Sequence, residues 1–166
     1  MDSNTEIDIR VAEIISEFME LSSGRIVISG QNYKAPKDDG IYIIVSMRAP
    51  YVLGQKKYFD NATNEEVNEV SMFASIDIEV TSKSREAMNR KEEVVMALTS
   101  YQSIALQEKY GFKLFRNSSI MDLTFIEASA SLYRYRVPIT ATYNKIKRSG
   151  VDYYDKFRTA QLEIER

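Results

Sequence analysis

From residue 132 to residue 143 apolar and polar side chains alternate. Tyr133, Tyr135, Val137, Ile139, Ala141 and Tyr143 fall on one side, and Arg134, Arg136, Thr140 and Thr142 on the other. A period of two is the mark of a half-buried strand, one face packed and the other open to charged contacts. Residues 151–165 form a second strand-like run, and the basic stretch Asn144 to Gly150 between them reads as the connection of a loose antiparallel hairpin. Pro138 lies inside the first run. A proline donates no ladder hydrogen bond, so it predicts an edge strand or a bulge there.

The rest of the chain divides by the same criteria. Ile7, Val11, Ile14, Ile15 and Phe18 recur at helical steps, predicting a helix over about 5–22 capped from Ser3 to Thr5. Arg25 to Ser29 reads as a short strand, and Gln31 to Gly40 as an irregular loop. Ile41 to Arg48 is apolar on both faces, as in a strand covered on both sides or packed at an interface. Residues 51–68 turn polar and predict an exposed arm between paired strands. Met72, Ala74, Ile76, Ile78 and Val80 then alternate with Asp77 and Glu79, giving a strand with one apolar and one acidic face. A helix begins at Ser82 or Ser84, carries an apolar stripe through Ala105, and is open to a break at Ser100 or Ser103. Gly111 marks its left-handed cap, Phe112 to Phe115 returns toward the sheet, and Ile120 to Ile126 is either a strand or a turn. The order predicts an α+β fold, a mainly antiparallel sheet with helices packed on one face.

The 166 residues, 44% hydrophobic and 28% charged, suit one domain over 1–166. A net charge of -2 argues against a protein built to grip nucleic-acid phosphates, which needs concentrated basic surface. With neither cysteine nor histidine, thiolate and imidazole metal sites and histidine acid–base chemistry are excluded. The first residues lack the pattern of a signal peptide and no run of 18 apolar residues occurs, so a soluble, unexported protein without a membrane span is expected.

Carboxylates are the chemistry left open. Asp38-Asp39-Gly40 lacks the ligand spacing of a calcium loop and reads better as a turn. Asp77 and Glu79 share a strand face, but a solvated sheet face has the same pattern. The glycines are too scattered to cradle a phosphate. Tyr133 and Tyr135 interleaved with Arg134 and Arg136 suggest a base-stacking platform, yet alternation separates rings from guanidiniums, whereas such a groove needs both on one surface. Arginines that bridge to a neighbouring strand or across an interface suit the pattern better. No catalytic, cofactor or metal residues can be named.

Several segments in order carry a resemblance: Gln31-Asn32 ahead of Ala35-Pro36, the strand Gly40 to Pro50, Ala97-Leu-Thr-Ser100, Gly111, Ser119 to Leu123, Arg134 to Tyr143, and Val151-Asp-Tyr-Tyr-Asp155. From about Gly30 to Ile164 the chain resembles the tail- or neck-terminator proteins of tailed bacteriophages. The resemblance implies a non-enzymatic virion protein at the head–tail junction, made in the host cytoplasm and needing no cofactor. It would form a ring, a hexamer in that family, that caps the tail tube, halts its polymerisation and docks the head connector. Its partners would be copies of itself, the tube protein and connector or adaptor proteins, with genomic DNA passing through unread.

On this reading Tyr51, Lys56, Lys57, Tyr58, Phe59, Arg134, Arg136, Asp152, Tyr153, Tyr154 and Asp155 serve subunit or partner interfaces, and Asp77 and Glu79 face the channel. The alternative in the same particle is a head-closure or tail-completion adaptor. Alternatives of other classes are a carboxylate enzyme using Asp77, Glu79, Asp38 or Asp39, and a nucleic-acid module using Arg134, Arg136 and Lys145 to Arg148.

Overall fold

The computed structural model describes residues 6–150 except 23, 32, 35, 117–118 and 128–129. The strand expected over 151–165 and the cap expected at Ser3 to Thr5 lie outside the described residues. In chain order the elements are α1 (Ile7–Phe18), β1 (Ile26–Ile28), β2 (Tyr42–Met47), β3 (Tyr51–Asp60), β4 (Glu65–Ser82), α2 (Glu86–Leu98), α3 (Tyr101–Tyr110), β5 (Phe112–Arg116), β6 (Met121–Asp122), β7 (Phe125–Glu127) and β8 (Ala130–Gly150). This is the α+β arrangement expected from the pattern.

The sheet is organised on β4 and β8, which pair antiparallel over the whole of β4, from Glu65↔Gly150 to Ser82↔Tyr133. On the far side of β4, β2 takes the half nearer Ser82 and β3 the half nearer Glu65. β1 adds to β2 as the parallel pair, and β5, β6 and β7 line the far side of β8. One expectation is corrected here: Asn144 to Gly150 continues β8 instead of turning, while the exposed stretch 51–68 is itself paired as a β-hairpin with a four-residue turn. Each polar stretch is held in strand form by β4 between them, whose ladder hydrogen bonds do not depend on apolar side chains.

The alternation in β4 and β8 places Ala74, Ile76, Ile78, Val80, Tyr135, Val137, Ile139 and Ala141 on one face, and all of them are buried. Ile43 and Val45 of β2 join that face, and α1 and α2 cover it with Val11, Ile14, Ile15, Ala87, Val94 and Ala97. Burying one such side chain stabilises by about 1.5–3 kcal/mol, so this layer is the main source of fold stability. Arg90 ties the two helices together: it donates to the Met19 carbonyl at 2.8 Å while also paired with Glu93.

Pro138 is not on an edge. β8 has β4 on one side throughout, and on the other side the β5 pairing ends at Ile139 while β6 begins at Arg136. The proline thus stands in the gap between two neighbouring strands, where β8 is not fully laddered.

The long helix does break at serine. Ser100 has an extended backbone and its Oγ accepts from the Ser103 N–H at 3.1 Å, opening α3 where α2 has ended. Gly111 closes α3 with φ +69°, a conformation favouring glycine. Both Ser82 and Ser84 serve the start of α2, Ser82 Oγ accepting from Ala87 N and Ser84 Oγ from Glu86 N. Among the described residues no helix is long and apolar enough to cross a membrane.

Candidate assembly surface

Beyond the helix-covered core the sheet continues as a three-stranded ribbon: β3, the first half of β4, and the end of β8. Eight of the residues from Tyr51 to Phe59 flank nothing but β4, and all nine are exposed. Among them Tyr51, Val52, Leu53, Tyr58 and Phe59 are large and apolar. β3 pairs with β4 alone among the described residues, so its outer backbone edge is a template for another strand. The pairing shifts register at Leu53, a bulge that bends the strand where it leaves the body.

Charge along the ribbon is ordered by strand. β3 carries Lys56 and Lys57, β4 carries Glu65, Glu66 and Glu69, and the end of β8 carries Lys145, Lys147 and Arg148. Lys57 meets Glu66 at 2.9 Å, and Arg148 spans the tip to Asp60 at 3.1 Å and Glu65 at 3.4 Å. Lys56 Nζ lies 4.8 Å from the centre of the Tyr58 ring. Hydrogen bonding by Arg148 holds the Asp60 carboxyl below the ordinary aspartate range, and the Lys57 contact does the same for Glu66. Val67, opposite both Tyr58 and Arg148, is fully buried although it lies in the polar stretch.

On the uncovered face of the sheet body Glu79 receives two arginines. Arg134 donates from Nε and Nη2 to Oε2, the former at 3.0 Å, and Arg136 donates from Nε and Nη2 to Oε1 at 3.1 and 2.7 Å. Burial pushes the Glu79 carboxyl upward, but the two guanidiniums outweigh it, and the pKa falls below the usual glutamate value. Asp77 meets Arg48 at 2.9 Å. Arg134 and Arg136 thus bridge to a neighbouring strand of the same chain. Neither Asp77 nor Glu79 is an uncompensated charge.

Asp38 and Asp39 act as loop fasteners. Arg25 grips the Asp38 carboxylate, which also accepts from Gly40 N at 3.1 Å, and both effects lower its pKa. A Cβ at Gly40 would stand 2.9 Å from Arg25 Nη1, so a side chain there would push the guanidinium aside. The Asp39 carbonyl accepts from Ser84 N–H and Oγ, joining the loop to α2.

A groove of about 740 Å³ opens where the ribbon meets the body, lined by Leu53, Met72, Ile104, Phe112, Leu114 and Tyr143 among others. Sequence periodicity did not point to it, because its walls come from α3, β5 and the ribbon base, far apart in the chain. Asp152, Tyr153, Tyr154 and Asp155 lie outside the described residues.

The phage neck terminator proteins match this sequence over residues 10–165. The chain belongs to that family. None of the curated proteins matches it. Among solved structures, the sheath/tube terminator of an extracellular contractile injection system, PVC, in its extended state, superposes with a TM-score of 0.50 at 10% identity. The alignment covers 100% of this chain and 65% of that one, so the neck terminator chain spans about two-thirds of the length of that protein. At such identity the likeness concerns the fold alone.

Proposed function

We propose that this neck terminator closes the growing end of a phage tail tube as a ring of identical subunits, stops tube polymerisation, and offers its other rim to the head connector. Membership of the terminator family over nearly the whole chain carries the reading. The fold supports it physically. A cyclic ring joins unlike surfaces of successive subunits, and β3 offers a ten-residue strand edge whose backbone groups and apolar side chains suit addition of a neighbour's strand. A six-membered ring, tube protein and connector as flanking partners, a location in the virion neck and the absence of catalysis belong to the same proposal.

The helices cover one face of the sheet, and we place the other face, with Asp77 and Glu79, toward the channel. Arg48, Arg134 and Arg136 compensate those carboxylates. Such a face has little to offer a long array of phosphates, which binds where cations are concentrated and free.

Deleting the gene tests the reading. Overlong tail tubes are the expected result; tubes of normal length that lack heads would instead assign a head-closure or completion adaptor. Imaging of purified protein with tail tubes should place rings at tube ends.

A further inference from the structure

We infer that the ribbon tip of one copy, led by Tyr58, seats in the groove at the root of the next copy's ribbon. The inference rests on the ring reading above and names the contact that joins successive subunits. The groove crosses the sheet where the helices end and the ribbon begins: Leu53, Met72, Tyr143 and Phe112 stand on β3, β4, β8 and β5 in turn, and Ile104 of α3 stands in its wall. Leu53 and Ile104 are 57% and 48% exposed in a single copy. Apolar surface gathered in this way marks a place that a partner covers.

The chain's own tip does not reach the groove. Tyr58 lies five residues beyond Leu53 along a strand paired to β4, about 17 Å away. A second copy has no such constraint. Among the described residues β3 borders the sheet on one flank and β5 on the other, so tip and groove are unlike surfaces on opposite flanks, the relation that joins subunits head to tail in a ring. At the centre of β5 the Leu114 N–H already donates to Gln107 Oε1 at 2.9 Å. The groove therefore receives side chains there, not a further strand.

Chemistry selects the side chains. Lys56, Tyr58 and Asp60 follow at two-residue steps on one face of β3, past the bulge at Leu53. They present a cation, an aromatic ring and an acid in order, with Lys56 Nζ 4.8 Å from the centre of the Tyr58 ring. The groove presents the complementary set: Glu108 and Lys113 line it together with the apolar Phe112 and Leu114. Lys56, Glu108 and Lys113 are exposed, and none makes an ion pair among the described residues, whereas Lys57 is taken by Glu66. Seating the tip brings Lys56 to Glu108, Tyr58 to the apolar wall, and Asp60, held in place by Arg148, to Lys113. Charges matched in this order fix which surfaces meet and in which register.

The test uses the full chain and reads the concentration at which rings form, by native mass measurement, with thermal melts confirming that each variant is folded. K56E also faces Glu69 across the ladder, so E108K, which lies on α3 away from the ribbon, is its control. Each alone should raise the assembly midpoint at least about threefold, because it sets like charges against each other at every contact. An equimolar mixture of the two variants should return the midpoint to within about twofold of the unaltered chain. In an alternating ring the K56E tip meets the E108K groove, and the unaltered tip meets the unaltered groove; only a contact between copies gives that recovery. Single variants that assemble as readily as the unaltered chain, or a mixture no better than its components, would overturn the inference. If the unaltered chain forms no ring, alone or on tube ends, the ring reading itself has failed and this contact falls with it.

Discussion

Glu79 of β4 and Arg136 of β8 stand directly opposite each other, and Arg136 Nη2 donates to the Glu79 carboxylate at 2.7 Å. Arg134, one step along the same face, takes the other carboxylate oxygen. Only 6% of the Glu79 surface is exposed, whereas the two arginines reach solvent, so the acid is the buried partner of an open-ended clamp. Removing it leaves two like charges side by side. E79A should destabilise by about 2 kcal/mol at neutral pH, read as a shift in urea midpoint at constant slope.

The same clamp sets an acid dependence. The folded pKa of Glu79 lies below its unfolded value, so in acid the unfolded chain binds more protons at this site. Its contribution is complete above the ordinary glutamate range, at about pH 4.3–4.5, and is lost as pH falls through the lower folded value. Stability measured from pH 7 to pH 3 should therefore fall less steeply in E79Q than in the unaltered protein. Parallel profiles would show that the clamp does not set the titration.

Helix α3 depends on its two ends. S100A removes the acceptor for Ser103 N–H and should cost about 1 kcal/mol. G111A must hold a side chain at φ +69° and should cost about as much. The two sites lie at opposite ends of the helix, so chemical denaturation of the double variant should return roughly the sum.

Within the ribbon, burial separates stability from assembly. Val67 is fully buried between Tyr58 and Arg148, and V67A should lower the melting temperature through a loss of about 1–2 kcal/mol. F59A, on an exposed position, should leave the melt within about 0.5 kcal/mol, whereas Y58A also uncovers Val67 and should cost about 1 kcal/mol. On the proposed ring contact the latter pair should impair tail termination, counted as overlong tubes by electron microscopy. Unchanged tube length in both would remove β3 from the contact.

P138V probes the strand gap. Because β5 stops at Ile139 and β6 starts at Arg136, little pairing is available to a new N–H there. The variant should change stability by less than about 1 kcal/mol, in contrast to I78A in the adjoining core layer, which should cost about 3 kcal/mol.

The sequence by itself determined which side of each strand is packed. Alternation is a local property, so Ile76, Ile78 and Val80, and Val137, Ile139 and Ala141, could be assigned to one buried face before their partners were known. Serine and glycine marked both ends of α3 for the same reason: a cap is formed within a few residues of the position it serves. Only the tertiary structure decided who lies beside whom. Glu79 meets Arg134 from 55 positions away, Pro138 falls in a gap made by two other strands, and the polar residues of β3 and of the end of β8 are strands because β4 runs between them. Those outcomes depend on backbone pairing across the sheet, whose hydrogen bonds carry no side-chain signature in the chain that makes them.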